Sequence, residues 1–393
     1  MIEFIEPDEQ FRSIKWSVAR PGEIAAWVAE MDFVVADPVL RAVVDAVMRS
    51  DLGYAPISTD TALAEAWSHW YSVEHGWSFD PASVVMLPDV MRGVDLAIEL
   101  WSAPGEGVLT TPPIYHPFLE SIAEKGRRLV AAPLVESTTG FTLDLDAVRS
   151  GLASGVQLVL LSNPHNPTGR VFSSDELRAL GALVVEHDAW LVSDEIHAPL
   201  VFPGAGPHVP IASLDPAIAA RTLTLTSASK AWNIPGLKCA VAIASSDAML
   251  RRLAALPEAA FFGGSPLGIH ATIAALQEGR PWLAEVLDLL ADNRASLADL
   301  LATHLPDVGY HAPESTYLAW LDARALPVPQ GLTTAQWLLD TAGVRLSAGE
   351  DFGTGGTGRL RLNFATSGQR LTEMVERISA VVHQPPRTMV ATR

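Results

Sequence analysis

The sequence predicts an α/β protein, with a mostly parallel central sheet, helices on both of its faces, and a smaller α+β unit. Three observations predict it. Short β-rich apolar runs alternate with longer helical patterns through the middle of the chain, the signature of a parallel sheet covered by helices. Polar and charged residues stand just after several of those runs, where open α/β sheets bind ligands. From about residue 280 the pattern changes to one long helix followed by strands and a further helix. With 393 residues, 49% of them hydrophobic and 18% charged, the chain can bury a sizeable core in two or three compact units.

Residues 1–45 lack sheet periodicity and carry Trp16 and Trp27, so they are expected to pack across the smaller unit or onto a second subunit. Residues 46–279 form the expected large unit, with strands at 83–87, 107–111, 156–161, 189–193, 222–226 and 239–244. Helices fit between many of these, such as 175–186, which Ser173 or Ser174 is placed to cap. Residues 280–383 form the expected smaller unit: a helix through 305, a strand at 316–321, a helix at 334–341 and a strand at 359–364. The tail, 384–393, opens Gln384-Pro385-Pro386 and is expected to be disordered.

The formal net charge of -18, with only 27 Lys and Arg, argues against a nucleic-acid partner. No uninterrupted apolar stretch approaches the roughly 18 to 20 residues of a membrane span, so no membrane role is expected. Cys239 is the only cysteine, which excludes an intrachain disulfide and a cysteine-based zinc site and suggests a reducing compartment. The opening Met1-Ile2-Glu3-Phe4 lacks the basic-then-apolar pattern of a secretory leader, and a cytoplasmic protein without a metal centre is the expectation.

The chemistry lies at the strand ends. Asp89 to Arg92 follow the first run, Tyr115 the second, Asn166 the third, Asp194 the fourth and Lys230 the fifth. The set Ser227-Ala228-Ser229-Lys230, Asp194 and Asn163-Pro164-His165-Asn166-Pro167-Thr168-Gly169 answers the needs of pyridoxal 5'-phosphate. That cofactor requires a lysine amine for a Schiff base, a carboxylate against its pyridine nitrogen, and donors for its phosphate and phenolic oxygen. Lys230 would hold the cofactor and then act as the base on the substrate's α-proton. Read alone, it is a surface lysine at a strand end.

Asp194 leaves an apolar strand as a carboxylate, which is costly unless a cation meets it; read alone, it is a helix N-cap. Asn166 is placed to donate to the phenolic oxygen, and His197 to reach the same oxygen or the carboxylate, unless it is an ordinary buried histidine. For the phosphate the candidates are Ser227, Ser229, Lys238 and the backbone N–H groups of Val90 and Met91, where a helix begins. Tyr115 would stack on the ring, or merely cover the sheet edge. Arg359 and Arg361 share one strand face, and one of them would grip a carboxylate; a solvated arginine is the plainer reading for Arg359.

Two textual matches are set aside. The run Gly353 to Gly358 spells a dinucleotide fingerprint but precedes a strand and opens no helix, so a flexible loop is expected. Ser227 and Lys230 have the spacing of penicillin-recognising serine enzymes, yet Ser193-Asp194-Glu195 is not Ser-Asp-Asn and no Lys-Thr-Gly occurs.

Across nearly the whole chain these motifs resemble the fold-type I pyridoxal phosphate enzymes of the class I/II aminotransferase superfamily. Trp27 to Phe33, Thr111 to Phe118, Asn163 to Arg170, Ser193 to His197, Gln277 to Trp282 and Arg361 to Thr366 resemble the MalY/PatB group of cystathionine β-lyases. The resemblance implies a homodimer with active sites at the subunit interface, Tyr54 reaching the neighbour's cofactor phosphate. It places Lys230 at the Schiff base, Asp194 at the pyridine nitrogen, Asn166 at the phenolic oxygen, Tyr115 over the ring and Arg361, with Asn166 nearby, on the substrate carboxylate. Pro88-Asp89-Val90-Met91 departs from the group's usual Pro-Gly-Val-Val and sets an acidic side chain beside the phosphate position.

The expected reaction is α,β-elimination on L-cystathionine or a related cysteine S-conjugate, giving a thiol, pyruvate and ammonia. Lys230 and Tyr115 are the candidate acids for the departing thiolate. The alternative is an aminotransferase using an L-amino acid and a 2-keto acid.

Overall fold

A computed structural model describes residues 2–7, 10–56 and 59–383; the expectation for the tail 384–393 lies outside the described residues. The central sheet has seven strands: β1 Val84–Leu87, β2 Gly107–Thr110, β3 Arg128–Ala131, β4 Leu158–Ser162, β5 Trp190–Asp194, β6 Thr222–Thr226 and β7 Ala240–Ala244. Their spatial order is β1-β7-β6-β5-β4-β2-β3. Only β7 runs against its neighbours, while β6, β5, β4, β2 and β3 pair in parallel. The carboxyl ends of the parallel strands therefore open on one edge, and the segment entering β7, with Lys238 and Cys239, meets them there.

Strands β4, β6 and β7 are short runs of Leu, Val, Ile, Ala and Thr buried on both faces, as the middle of a sheet between helical layers must be, while the edge strand β3 is mostly exposed. Helix Ser174–Glu186 begins at Ser173 with a reciprocal capping box to Glu176. Helix Val90–Trp101 lies close on β6: a Cβ on Gly93 would stand 2.6 Å from Leu225 Cδ2. The missing side chain lets this helix approach the sheet and sets its N-terminus beside the Ser227–Lys230 turn. Trp101 stacks on Trp190 at 5.1 Å on the same helical layer.

Four short antiparallel strands form a second sheet, in the order Gly309–Tyr310, Leu318–Asp322, Arg359–Asn363, Ser347–Ala348. The 25-residue helix Arg280–His304 packs against Gly368–Val382 beside it. No described helix is long and apolar enough to cross a membrane.

The first residues carry more structure than their lack of periodicity implies. Ile24 and Ala25 pair in parallel with Val344 and Arg345, and helix Asp37–Met48 packs on Pro266–Glu278. Lys15, only 1% exposed, bonds Asp32 Oδ1 at 2.8 Å and the Glu30 carbonyl at 3.1 Å. Asn363 Nδ2 donates to the Val28 and Glu30 carbonyls, and Asn233 exchanges two hydrogen bonds with Met31. Residues 27–33 are thus strung between the two sheets, across the edge where the parallel strands end.

Two expectations need correction. Arg359 is buried, not solvated, because Glu136 on a separate hairpin meets its guanidinium. The glycine run 353–358 is a packed turn: Cβ atoms on Gly349 or Gly356 would overlap the other's carbonyl oxygen at 2.1 and 1.8 Å.

Candidate active site

A cavity of about 280 Å³ opens where β1, β4, β5 and β6 end. Its wall includes Asp89, Val90, Met91, Tyr115, Asn166, Asp194, His197, Ser227, Ser229, Lys230 and Lys238. A second cavity, about 480 Å³, shares Ala29, Tyr115 and Lys230 with the first and adds Trp27, His116, Arg345, Ser347, Asp351 and Arg361. Lys230 stands between the two. Of the candidates, Tyr54 and Arg359 line neither cavity, and Tyr54 is fully exposed on this chain.

The Lys230 amine donates to the Ala29 carbonyl at 3.1 Å, and the same oxygen accepts the Tyr317 hydroxyl at 3.0 Å. Burial lowers the pKa of the amine to about 8, with Arg361 pushing the same way and Glu30 and Asp194 opposing. A substantial neutral fraction at neutral pH makes it a nucleophile and a base.

Asp194 ends β5 and is 5% exposed. Burial raises its carboxyl to about 7, against the opposing hydrogen bond from the Ile196 N–H, which reaches Oδ1 at 3.0 Å. One neutral donor leaves a buried carboxylate short of partners, so the site suits a cationic nitrogen. His197 is buried, its Nδ1 meets no partner, and burial pulls its pKa down to about 3, leaving the ring neutral. Tyr115 keeps its proton well into the alkaline range because burial raises its hydroxyl.

At the other end of the first cavity, helix Val90–Trp101 begins with Asp89 as its N-cap, Oδ1 accepting from the Arg92 N–H at 2.8 Å. The N–H groups of Val90 and Met91 belong to this first turn, an anion-favouring position. Lys238 Nζ lies 2.9 Å from Asp89 Oδ2. The Ser227 hydroxyl donates to the Cys239 carbonyl at 2.7 Å and accepts the Ser229 N–H, so it fixes the turn before Lys230.

Arg361 reaches in from the small sheet. Nη1 donates to Asn166 Oδ1 at 3.0 Å, and Nη2 to the Trp27 carbonyl at 2.8 Å and Ser347 Oγ at 3.2 Å. Nε is buried without a partner, and the guanidinium lies 4.9 Å from the Phe352 ring centre. Because Asn166 accepts through Oδ1, its amide N–H groups remain available to donate.

Sequence reasoning missed the scaffold of Lys230. Ala29 offers only a carbonyl, which every residue has, and Asn233, Tyr317 and Asn363 act through hydrogen bonds that no periodicity announces. For Ala29 and Asn363 the signal lay in the runs 27–33 and 361–366, both singled out as phrases without roles for these two residues; Asn233 and Tyr317 lie outside both.

The arrangement fits pyridoxal phosphate. A lysine amine stands in the cavity, a buried carboxylate lacks a cation, His197 Nδ1 is unpartnered, and a helix start with Lys238 supplies the anion end.

Comparison with known proteins agrees. The cystathionine beta-lyase of Corynebacterium glutamicum is 36% identical over 373 residues, spanning 94% of this chain and 97% of that protein. Cystathionine beta-lyase PatB of Bacillus subtilis (strain 168) is 32% identical over 383 residues, spanning 94% and 97%. The crystal structure of the PLP-bound C-S lyase from Staphylococcus hominis superposes with a TM-score of 0.89 at 29% identity, covering 96% of this chain and 97% of that one. The fold is that of the fold-type I enzymes. Residues 29–378 match the family described as aminotransferase class I and II, a span that takes in Ala29, Lys230 and Arg361, and to that family this chain belongs.

Proposed function

We propose that this chain is a pyridoxal phosphate-dependent C–S β-lyase. It acts on L-cystathionine or a related cysteine S-conjugate and, with one water consumed, releases a thiol, pyruvate and ammonia. The observation that carries the reading is the position of Lys230 between a cavity suited to the cofactor and one lined by Arg361.

When bound, the cofactor would supply an electron sink for the α-carbon of the substrate. Lys230 would anchor it, Asp194 would hold a proton on its pyridine nitrogen, Asn166 and His197 would face its phenolic side, and Tyr115 its ring. Lys238, Ser229 and the N–H groups of Val90 and Met91 would hold its phosphate. Arg361 binds the substrate carboxylate in a planar fork and fixes which α-substituent faces Lys230. The neutral Lys230 amine removes the α-proton. Tyr115, protonated across the neutral range, supplies a proton at the cavity wall for the departing sulfur.

Residues 46–279 serve as the cofactor-binding unit and 280–383 as the smaller unit, with 1–45 bridging to it or to a partner subunit. The working assembly is a homodimer in the cytoplasm, in which Tyr54 serves the neighbour's phosphate site. Its full exposure on a single chain is in keeping with that role.

The test is pyruvate release from L-cystathionine by purified, cofactor-loaded protein, with the visible spectrum recorded in parallel. Pyruvate with an unchanged resting spectrum supports the lyase. No pyruvate, with a spectral change that a 2-keto acid reverses, makes the protein an aminotransferase instead.

A further inference from the structure

We propose that the second cavity recognises a carboxylate on the leaving group, read by Arg345, so that the preferred substrates are β-thioethers whose outer arm carries its own carboxylate. The inference rests on the lyase reading and names its substrate class.

Arg361 already answers for one carboxylate, beside Asn166 and Lys230. The same cavity, about 480 Å³, also carries Arg345 and His116 in its wall, side chains that can serve a second anion. Arg345 sits in the short strand that pairs with Ile24–Ala25, and its side chain is 24% exposed. Nη2 bonds Glu23 Oε2 at 3.1 Å and the Val18 carbonyl at 3.4 Å, which fixes the guanidinium from the outer side. Its Nε is buried and has no partner.

His116, on the same cavity, has a buried Nδ1 that is likewise unpartnered, and its ring is held against Phe352 in an edge contact at 5.7 Å. Buried polar atoms without partners are uncommon, and three of them, on Arg345, His116 and Arg361, belong to basic side chains that line this one cavity. Asp351 lines the same cavity as an exposed carboxylate. An arginine and an imidazole for a carboxylate, with an aspartate for an ammonium, make the complement of an amino-acid terminus. A plain alkyl thioether would offer the Arg345 guanidinium no anion.

The experiment measures kcat/KM for L-cystathionine and for S-ethyl-L-cysteine, whose outer arm is uncharged, with cofactor-loaded enzyme. The readout is the ratio of the two. Arg345→Met keeps the apolar stem, and the ratio is expected to fall by about tenfold or more, chiefly through KM. Arg345→Lys, which keeps the charge but loses the fork, is expected to lower it by less and serves if the methionine variant does not fold. Glu23→Gln removes the ion pair while leaving the guanidinium, and should hold the ratio within about twofold. An unchanged ratio in both arginine variants, or an equal fall in Glu23→Gln, overturns the inference while leaving the lyase reading intact. Pyruvate from neither compound in the unmodified enzyme overturns the lyase reading and this inference with it.

Discussion

Asp89 and Lys238 form a 2.9 Å ion pair at the start of the helix that flanks the cofactor cavity. The aspartate is held at both ends, one oxygen capping the Arg92 N–H and the other on the lysine. An arriving phosphate would therefore share Lys238 with a fixed negative charge. Asp89→Asn keeps a capping oxygen and frees the lysine, so affinity for pyridoxal phosphate should rise several-fold, and more so at low salt. Equilibrium dialysis of cofactor-free protein checks this. A loss of affinity would show instead that Asp89 orients Lys238 for the phosphate. Both side chains are about half exposed, which keeps the expected effect modest.

Arg361 is held by Asn166, the Trp27 carbonyl and Ser347, a geometry that only a planar fork can satisfy. Arg361→Lys should lower kcat/KM for any substrate by roughly a hundredfold, chiefly through KM, and leave the visible spectrum of the resting enzyme unchanged. A change confined to kcat would remove Arg361 from substrate binding.

Lys230, Asp194 and Asn166 were legible because the residue types that the chemistry needs stand just past short apolar runs, and the strand ends do converge. Strand β3, Arg128–Ala131, was missed because its apolar run, Leu129 to Ala132, is short and is cut by Pro133, and as an edge strand it has a partner on one side only. The two-residue strand Ile24–Ala25 is too short to show a period, and it exists only because Val344 and Arg345 come alongside. Arg359 read as solvated because its partner, Glu136, lies 223 residues away. The Ala29 carbonyl illustrates the general limit: a backbone acceptor becomes a site feature only when distant side chains, here Lys230 and Tyr317, converge on it.

The lowered pKa of Lys230 makes a kinetic prediction with a definite sign. Covalent attachment of the cofactor needs the neutral amine, and with a pKa of about 8 instead of the usual lysine value that form becomes dominant near pH 8. The rate of cofactor loading, followed by absorbance in stopped flow, should rise about tenfold per pH unit below 8 and level off above it. Neighbouring charges should move the midpoint in opposite directions. Arg361 lowers the pKa, so Arg361→Gln should shift the midpoint upward; Asp194 raises it, so Asp194→Asn should shift it downward. A midpoint at the ordinary lysine value, or one that neither substitution moves, would mean that burial and these two charges do not set the reactivity of the amine.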